Sequence, residues 1–198
     1  ALNNVGSAYM GIYLFEGKQK ENLKIASNYL NRGLKIFEKE NADENTYKAY
    51  NFLYLLTKFN LAYTKYLLGH TQALESAKKV LIKLENLMNT DLFCLAGLCR
   101  RIAHMYLEAD QEKEAEKYEK KAENIWKDNN NHDFSLLYEQ KGDYYLIKSE
   151  KCGSEEKMEL LVKAKENYEK ALSITSGSDS NPLLLKQLKN KINNINIK

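Results

Sequence analysis

Proline and glycine, the residues that most often interrupt helices, are scarce in this chain. Proline occurs once and glycine nine times in 198 residues. Proline lacks an amide hydrogen and glycine weakens a helix interior, so their scarcity allows long helices almost everywhere. Long apolar runs are missing as well. The run Phe52–Leu56 is followed by Lys58 and is far shorter than the roughly 20 residues that span a bilayer. We therefore expect no membrane span, secretory signal or transit peptide.

Cysteine is also rare. Cys94, Cys99 and Cys152 are an odd number without a pairing framework, and no Asn-X-Ser/Thr acceptor site for glycosylation occurs. Both features favour a reducing compartment, so we expect an intracellular, cytoplasmic protein. The chain begins at Ala1 inside a helical pattern, which indicates a fragment of a longer protein.

Charge of one sign is not in excess. The 30 basic and 27 acidic residues give a net charge of +3 and are mixed along the chain. Nucleic-acid binding requires a clustered basic face. Direct binding of DNA or RNA is therefore not expected.

Motifs that carry chemistry are absent from the sequence. It contains no phosphate-binding glycine loop, dinucleotide fingerprint, His-Glu-X-X-His or Gly-X-Ser-X-Gly. The histidines His70, His104 and His132 lie far apart, and none has an obvious carboxylate to orient it. Cys94, Cys99 and His104 are spaced by five residues, which places neighbours about 140° apart on a helix. We expect no enzyme, no metal site and no cofactor.

Small residues recur at regular positions in the charged segment between Arg100 and Trp126. Ala103, Ala115 and Ala122 are 12 and then 7 residues apart. An apolar stripe on each side of the segment Ala109–Gln111 indicates two helices joined by a turn. Small side chains allow the two helices to approach closely. The segment therefore predicts a helical hairpin of about 34 residues.

The same arrangement occurs elsewhere in the chain. The landmark residues of the four hairpins are Gly6, Tyr9, Ala26, Leu30 and Gly33; Asn60, Tyr63, Ala73, Ala77 and Val80; Ala103, Tyr106, Ala115, Tyr118 and Ala122; Tyr138, Gly142, Tyr145, Ala164, Tyr168 and Ala171. Tyrosines at these positions are interpreted as packing residues. Four copies in register predict a repeat protein.

This pattern resembles the tetratricopeptide repeat (TPR) family over residues 1–176. The resemblance implies an all-α, right-handed α-solenoid of about four hairpins, at about 1–40, 44–89, 91–128 and 133–176. Polar connections are expected at 41–45, 89–91 and 128–133, with a break at 176–180. A terminal helix at 180–198, with Pro182 at its first position, would cap the array. The chain departs from the family in lacking the proline that often closes each repeat.

The resemblance also implies a concave groove, lined by the first helix of each hairpin, that binds a peptide or helix of another protein. The groove candidates are Asn3, Ser7, Met10, Tyr54, Thr57, Lys58, Leu61, Lys65, Arg100, Arg101, His104, Glu139 and Asp143. Of these, Lys58, Leu61, Lys65, Arg100, Arg101, His104, Glu139 and Asp143 form the predicted binding site. The basic members favour an acidic peptide, and the alternative is that they are ordinary solubilising charges.

Two functions are consistent with this reading. The first is a protein-interaction scaffold or adaptor. The second is the peptide-sensing half of a bacterial transcription regulator, which TPR arrays of this kind also resemble. A receptor for chaperone tails is disfavoured, because only Arg101 fits the family's carboxylate clamp at the positions that correspond to Asn3, Ser7, Lys58, Gly97 and Arg101. The sequence does not predict the oligomeric state.

Overall fold

The computed structural model describes residues 1–15, 19–39, 47–87, 92–127, 132–177 and 182–195. These residues form helices and turns, with no strand among them, which confirms the predicted all-α class. The helices are α1 (Leu2–Phe15), α2 (Lys20–Lys39), α3 (Tyr47–Leu67), α4 (Ala73–Leu87), α5 (Leu92–Glu108), α6 (Glu112–Trp126), α7 (His132–Ser149), α8 (Ser154–Ser176) and α9 (Pro182–Asn194). The predicted connections at 41–45 and 89–91, and most of those at 128–133 and 176–180, lie outside the described residues.

Local sequence explains where several helices begin. The first turns of α6 and α8 carry Glu112 and Glu114, and Glu155 and Glu156. Carboxylates at this end interact favourably with the unpaired amides and the positive end of the helix dipole. Helix α9 begins at Pro182, where the missing amide hydrogen costs nothing.

The turn between α3 and α4 ends the first of these helices through a glycine. Gly69 has φ +101°, a conformation that costs glycine little and other residues more. Its amide donates to the Tyr66 carbonyl at 2.8 Å, and the His70 amide donates to the Lys65 carbonyl at 3.0 Å. This pair of hydrogen bonds is the Schellman arrangement.

The turn between α5 and α6 uses the same two hydrogen bonds with a different residue. Asp110 takes the left-handed position with φ 57°. Its amide donates to the Leu107 carbonyl at 2.9 Å, and the Gln111 amide donates to the Tyr106 carbonyl at 2.9 Å. Two hairpins therefore turn in the same way although their turn sequences differ.

The chain divides into two compact units, residues 1–95 and 96–198, with the boundary inside α5. In the first unit, α1 packs on α2, α2 on α3, and α3 on α4. Leu30, Leu34 and Leu61 form a buried cluster with Tyr54 against it. Helices α2 and α3 therefore share a core within this unit.

A polar contact also joins the first helices of the two hairpins in the first unit. The Asn60 side-chain amide donates to Asn3 Oδ1 at 3.1 Å and to Ser7 Oγ at 3.2 Å. Asn60 is buried, so these bonds satisfy an amide that would otherwise be costly to remove from water.

In the second unit, α6 packs on α7, α7 on α8, and α8 on α9. Leu184 and Leu188 of α9 are buried in a cluster with Tyr168. Gly142 lies so close to Tyr168 that a β-carbon at Gly142 would stand 2.5 Å from the ring. The predicted close approach of helices at small residues is therefore present in this hairpin.

Candidate functional site

A groove runs along the α3–α4 hairpin of the first unit and consists of two adjoining pockets. One pocket, of about 580 Å³, is lined by Leu34, Lys58, Leu61, Ala62, Lys65, His70, Gln72, Ala73, Ser76, Lys79 and Val80. The other, of about 430 Å³, is lined by Asn51, Tyr54, Leu55, Lys58, Lys79, Val80, Lys83, Asn86 and Leu87. Lys58, Lys79 and Val80 belong to both, so the pockets form one surface, here called the α3–α4 groove.

The α3–α4 groove is elongated along the helix axes. The lining residues on α3 extend from Asn51 to Lys65, and those on α4 from Ala73 to Leu87. Each span corresponds to about 21 Å at the rise of an α-helix. The groove is thus long enough for a segment of polypeptide.

The rim of the groove is basic. Lys58 and Lys65 are contributed by α3, and Lys79 and Lys83 by α4. No Asp or Glu lines either pocket among the described residues, nor does a described carboxylate form an ion pair with any of these four amines. Their positive charges are therefore not neutralised within the described part of the unit.

The floor of the groove is apolar. Leu34, Leu55, Leu61, Ala62 and Ala73 are buried there. Between this floor and the rim, the Lys58 amine lies 4.3 Å from the centroid of the Tyr54 ring, a cation–π distance that restrains the lysine at the centre of the groove. A ligand with apolar side chains and carboxylates complements such a surface.

Three of the predicted site residues, Lys58, Leu61 and Lys65, lie together in this groove. Leu61 belongs to its floor, since its side chain is 7% exposed. Lys79 and Lys83 were not predicted from the sequence, because second helices were assigned to packing alone. These two lysines are four residues apart and flank Val80, so they lie on one face of the helix. This spacing was the feature of the sequence that could have indicated them.

The predicted residues Arg100, Arg101 and His104 lie on α5 in the second unit. Arg100 is 4% exposed, so the expectation that it contacts a partner is not supported by its position. His104 Nε2 lies 3.6 Å from Glu108 Oε1, which corrects the expectation that this histidine lacks a neighbouring carboxylate. The i, i+4 spacing on a helix explains the contact.

Glu139 and Asp143, also predicted for the groove, are bound by the chain itself. Lys191 of α9 donates to Glu139 Oε1 at 2.8 Å and to Asp143 Oδ1 at 2.7 Å. Tyr168 donates to the same Asp143 oxygen at 2.6 Å. Burial opposes the charge of Lys191, but the two carboxylates outweigh it and raise the pKa of the amine.

Other groove candidates from the sequence have structural positions. Met10 and Thr57 are buried, and Asn3 and Ser7 accept hydrogen bonds from Asn60. A partner that contacted Met10 or Thr57 would have to displace packed side chains. These four residues are therefore left out of the candidate site.

The described residues contain no cluster of three or more His, Cys, Asp or Glu side chains that could hold a metal ion. None of the helices in the described ranges combines the length and the apolar character required to cross a bilayer. Comparison of the chain with family models, curated proteins and solved structures finds no match.

Proposed function

We propose that this protein is an interaction scaffold or adaptor whose α3–α4 groove binds an acidic segment of another protein. The observation that carries the proposal is a basic rim, to which none of the described residues contributes a carboxylate, above an apolar floor. Unneutralised lysines attract anionic partners and accelerate their association. The floor residues keep only 5–8% of their surface exposed, so a bound apolar side chain would gain mainly by removing its own surface from water against this floor.

The TPR-like solenoid expected from the sequence is part of this proposal. In the first unit each helix from α1 to α4 packs on the next, and in the second unit each helix from α6 to α9 does so, as in repeat proteins. Asn60 ties the first helices of two hairpins in the first unit. In the second unit, Lys191 ties α9 to the first helix of the preceding hairpin. Both contacts are those expected when hairpins stack.

The proposed mechanism is binding to a surface that is already in place before the partner arrives. The residues below the lysines are held by the α2–α3 cluster that contains Leu34, Leu61 and Tyr54. A surface fixed in this way loses little conformational entropy when a partner binds. The flexible lysine side chains then adjust to the partner's carboxylates.

A comparison of three forms of the full chain tests the proposal. The wild type, a Lys58→Glu/Lys79→Glu variant and a Lys35→Glu/Lys39→Glu control would be used in parallel affinity captures. Lys35 and Lys39 are exposed on α2 and do not line the groove. The control makes the same change in net charge as the groove variant.

We expect the groove variant to lose the partners that the wild type and the control retain. The proposal fails if the groove variant and the control capture every partner equally with the wild type. Circular dichroism of the three forms establishes that each has kept its helices.

A further inference from the structure

Resting on the proposed function, we infer that the ligand of the α3–α4 groove is an acidic amphipathic α-helix that lies along α3 and α4. The inference specifies the conformation of the partner and the spacing of its charges. It is carried by the shape of the groove, the register of its lysines and its apolar floor.

The shape of the groove favours a ligand that runs parallel to the helix axes. The pocket near Asn51 and Leu87 and the pocket near Lys65 and Ala73 follow each other along the hairpin. A span of about 21 Å equals roughly four turns of an α-helix. A helical segment of about 14 residues would therefore occupy its full length.

The register of the lysines on α3 distinguishes a helix from a strand. Lys58 and Lys65 are seven residues apart, which is about 10 Å along the axis. On a parallel helical ligand, residues seven apart lie on one face and can meet both amines. On a β-strand, 10 Å corresponds to about three residues, and residues three apart point to opposite faces.

The lysines on α4 fit the same ligand. Lys79 and Lys83 are four residues apart, so they extend from one face of α4 about 6 Å apart. Carboxylates at i and i+4 on the other flank of the ligand have the same separation. The two lysine pairs thus correspond to two acidic flanks, one facing each wall of the groove.

Between the two flanks the ligand needs an apolar stripe. The floor beneath the lysines consists of Leu34, Leu55, Leu61, Ala62 and Ala73, and Val80 lines both pockets. Apolar residues at i, i+3, i+4 and i+7 of the ligand would lie over this floor. An acidic peptide without that stripe would contact the rim alone.

The inference is tested with two synthetic peptides of equal composition and charge. One carries a leucine stripe with glutamates on both flanks at helical spacing. In the other, the same residues are reordered so that leucine and glutamate alternate along the chain. Both are labelled and titrated with the full chain by fluorescence anisotropy, and circular dichroism measures the helix content of each bound peptide.

The same titrations are made with the groove variant Lys58→Glu/Lys79→Glu and with the Lys35→Glu/Lys39→Glu control. A third peptide, with its glutamates replaced by lysines, tests whether the charges can be exchanged. We expect the helical-spacing peptide to bind the wild type at least about tenfold more tightly than the alternating one, a difference of about 1.4 kcal/mol. The groove variant should lose this preference and instead bind the lysine peptide.

Each outcome decides a separate point. The first outcome is that the wild type and the control bind both acidic peptides equally well and the groove variant binds neither. This result would overturn the helical ligand but would leave the proposed function standing. If the groove variant binds every peptide with the same affinity as the wild type, both the helical ligand and the proposed function are contradicted. Binding of the helical-spacing peptide in a non-helical conformation also overturns the helical ligand.

Discussion

Gly142 lies where α7 and α8 approach each other closely in the second unit. A β-carbon there would stand 2.5 Å from the Tyr168 ring, and Tyr168 is fully buried and hydrogen-bonded to Asp143. The ring cannot move away without breaking that bond. We expect Gly142→Ala to lower the free energy of unfolding by about 1–3 kcal/mol.

Gly97 of α5 provides the control. A β-carbon at Gly97 would meet nothing within 4 Å, so Gly97→Ala should stabilise the helix by about 0.5–1 kcal/mol. Urea unfolding followed by circular dichroism measures both variants. Equal effects of the two substitutions would show that Gly142 is not required for the approach of α7 and α8.

Glu119 is a buried carboxylate with only one of its oxygens paired. Its Oε2 accepts a hydrogen bond from Lys141 at 2.5 Å, while its Oε1 is buried and accepts none from the described residues. Burial therefore raises the pKa of Glu119 above 4.5, even though Lys141 opposes the shift. Burial lowers the pKa of Lys141, but Glu119 outweighs it and raises that pKa.

A raised carboxyl pKa makes stability depend on pH in a defined direction. The contribution of Glu119 to the free energy of unfolding is fully present below the pKa that the group has in the unfolded chain. It is lost as the pH rises through the higher pKa of the folded protein. Glu119→Gln cannot ionise, so its stability relative to the wild type should increase as the pH rises from the unfolded pKa of the Glu119 carboxyl through its higher folded pKa.

Urea unfolding midpoints at several pH values test this expectation. Glu116→Gln on the same helix is the control, since Glu116 is exposed and a surface change should alter stability by less than about 0.5 kcal/mol. A Glu119→Gln difference that stays constant or decreases with rising pH would contradict the assignment.

Among the helices, α9 is held by a polar contact of Lys191 in addition to its apolar face. Lys191 pairs with Glu139 and Asp143, and its side chain is 30% exposed, so solvent weakens the interaction. We expect Lys191→Met to weaken the docking of α9 by about 1–2 kcal/mol, because two carboxylates lose their cation.

Hydrogen exchange of the α9 amides measures this change. Lys189→Met is the control, because Lys189 lies two residues away and is exposed. Faster exchange in α9 is expected for Lys191→Met alone. If the α9 amides exchange at the same rate in both variants, Lys191 does not contribute. The docking of α9 would then depend on Leu184, Leu188 and their apolar neighbours.

The helices themselves were largely predictable, because apolar periodicity is a local property. The helical class was therefore predicted correctly, and α9 begins at Pro182. Partners distant in the chain were not predictable. Nothing near Glu139 in the sequence indicates Lys191, and amphipathic spacing cannot tell that Arg100 is buried.

Of the eight residues predicted for the binding site, three line the α3–α4 groove. Lys58, Leu61 and Lys65 were identified because they lie on one face of a first helix. Lys79 and Lys83 were missed because the family resemblance directs attention to first helices. The side of a second helix that contributes to a groove depends on hairpin packing, which the sequence period does not specify.

Over the whole chain, charge is nearly balanced, with a net charge of +3, yet the charged residues among the described lining of the α3–α4 groove are lysines and a histidine, with no acid. Its attraction for an acidic peptide should therefore be local and sensitive to salt. The Debye length falls from about 10 Å at 0.1 M to about 3 Å at 1 M salt.

We expect the affinity for an acidic peptide to fall by about tenfold or more over this range. Anisotropy titrations at several salt concentrations measure the change. The Lys35→Glu/Lys39→Glu control should follow the wild type. An affinity independent of salt would mean that the lysines of the groove do not contribute to binding.

The location of the bound segment is best measured by titrating the isotope-labelled full chain with the helical acidic peptide and following its backbone amide resonances by NMR. The largest shifts are predicted within residues 51–65 and 73–87, and Lys58→Glu/Lys79→Glu should abolish them. Shifts concentrated in residues 96–195, or unchanged by that substitution, would contradict binding in the α3–α4 groove.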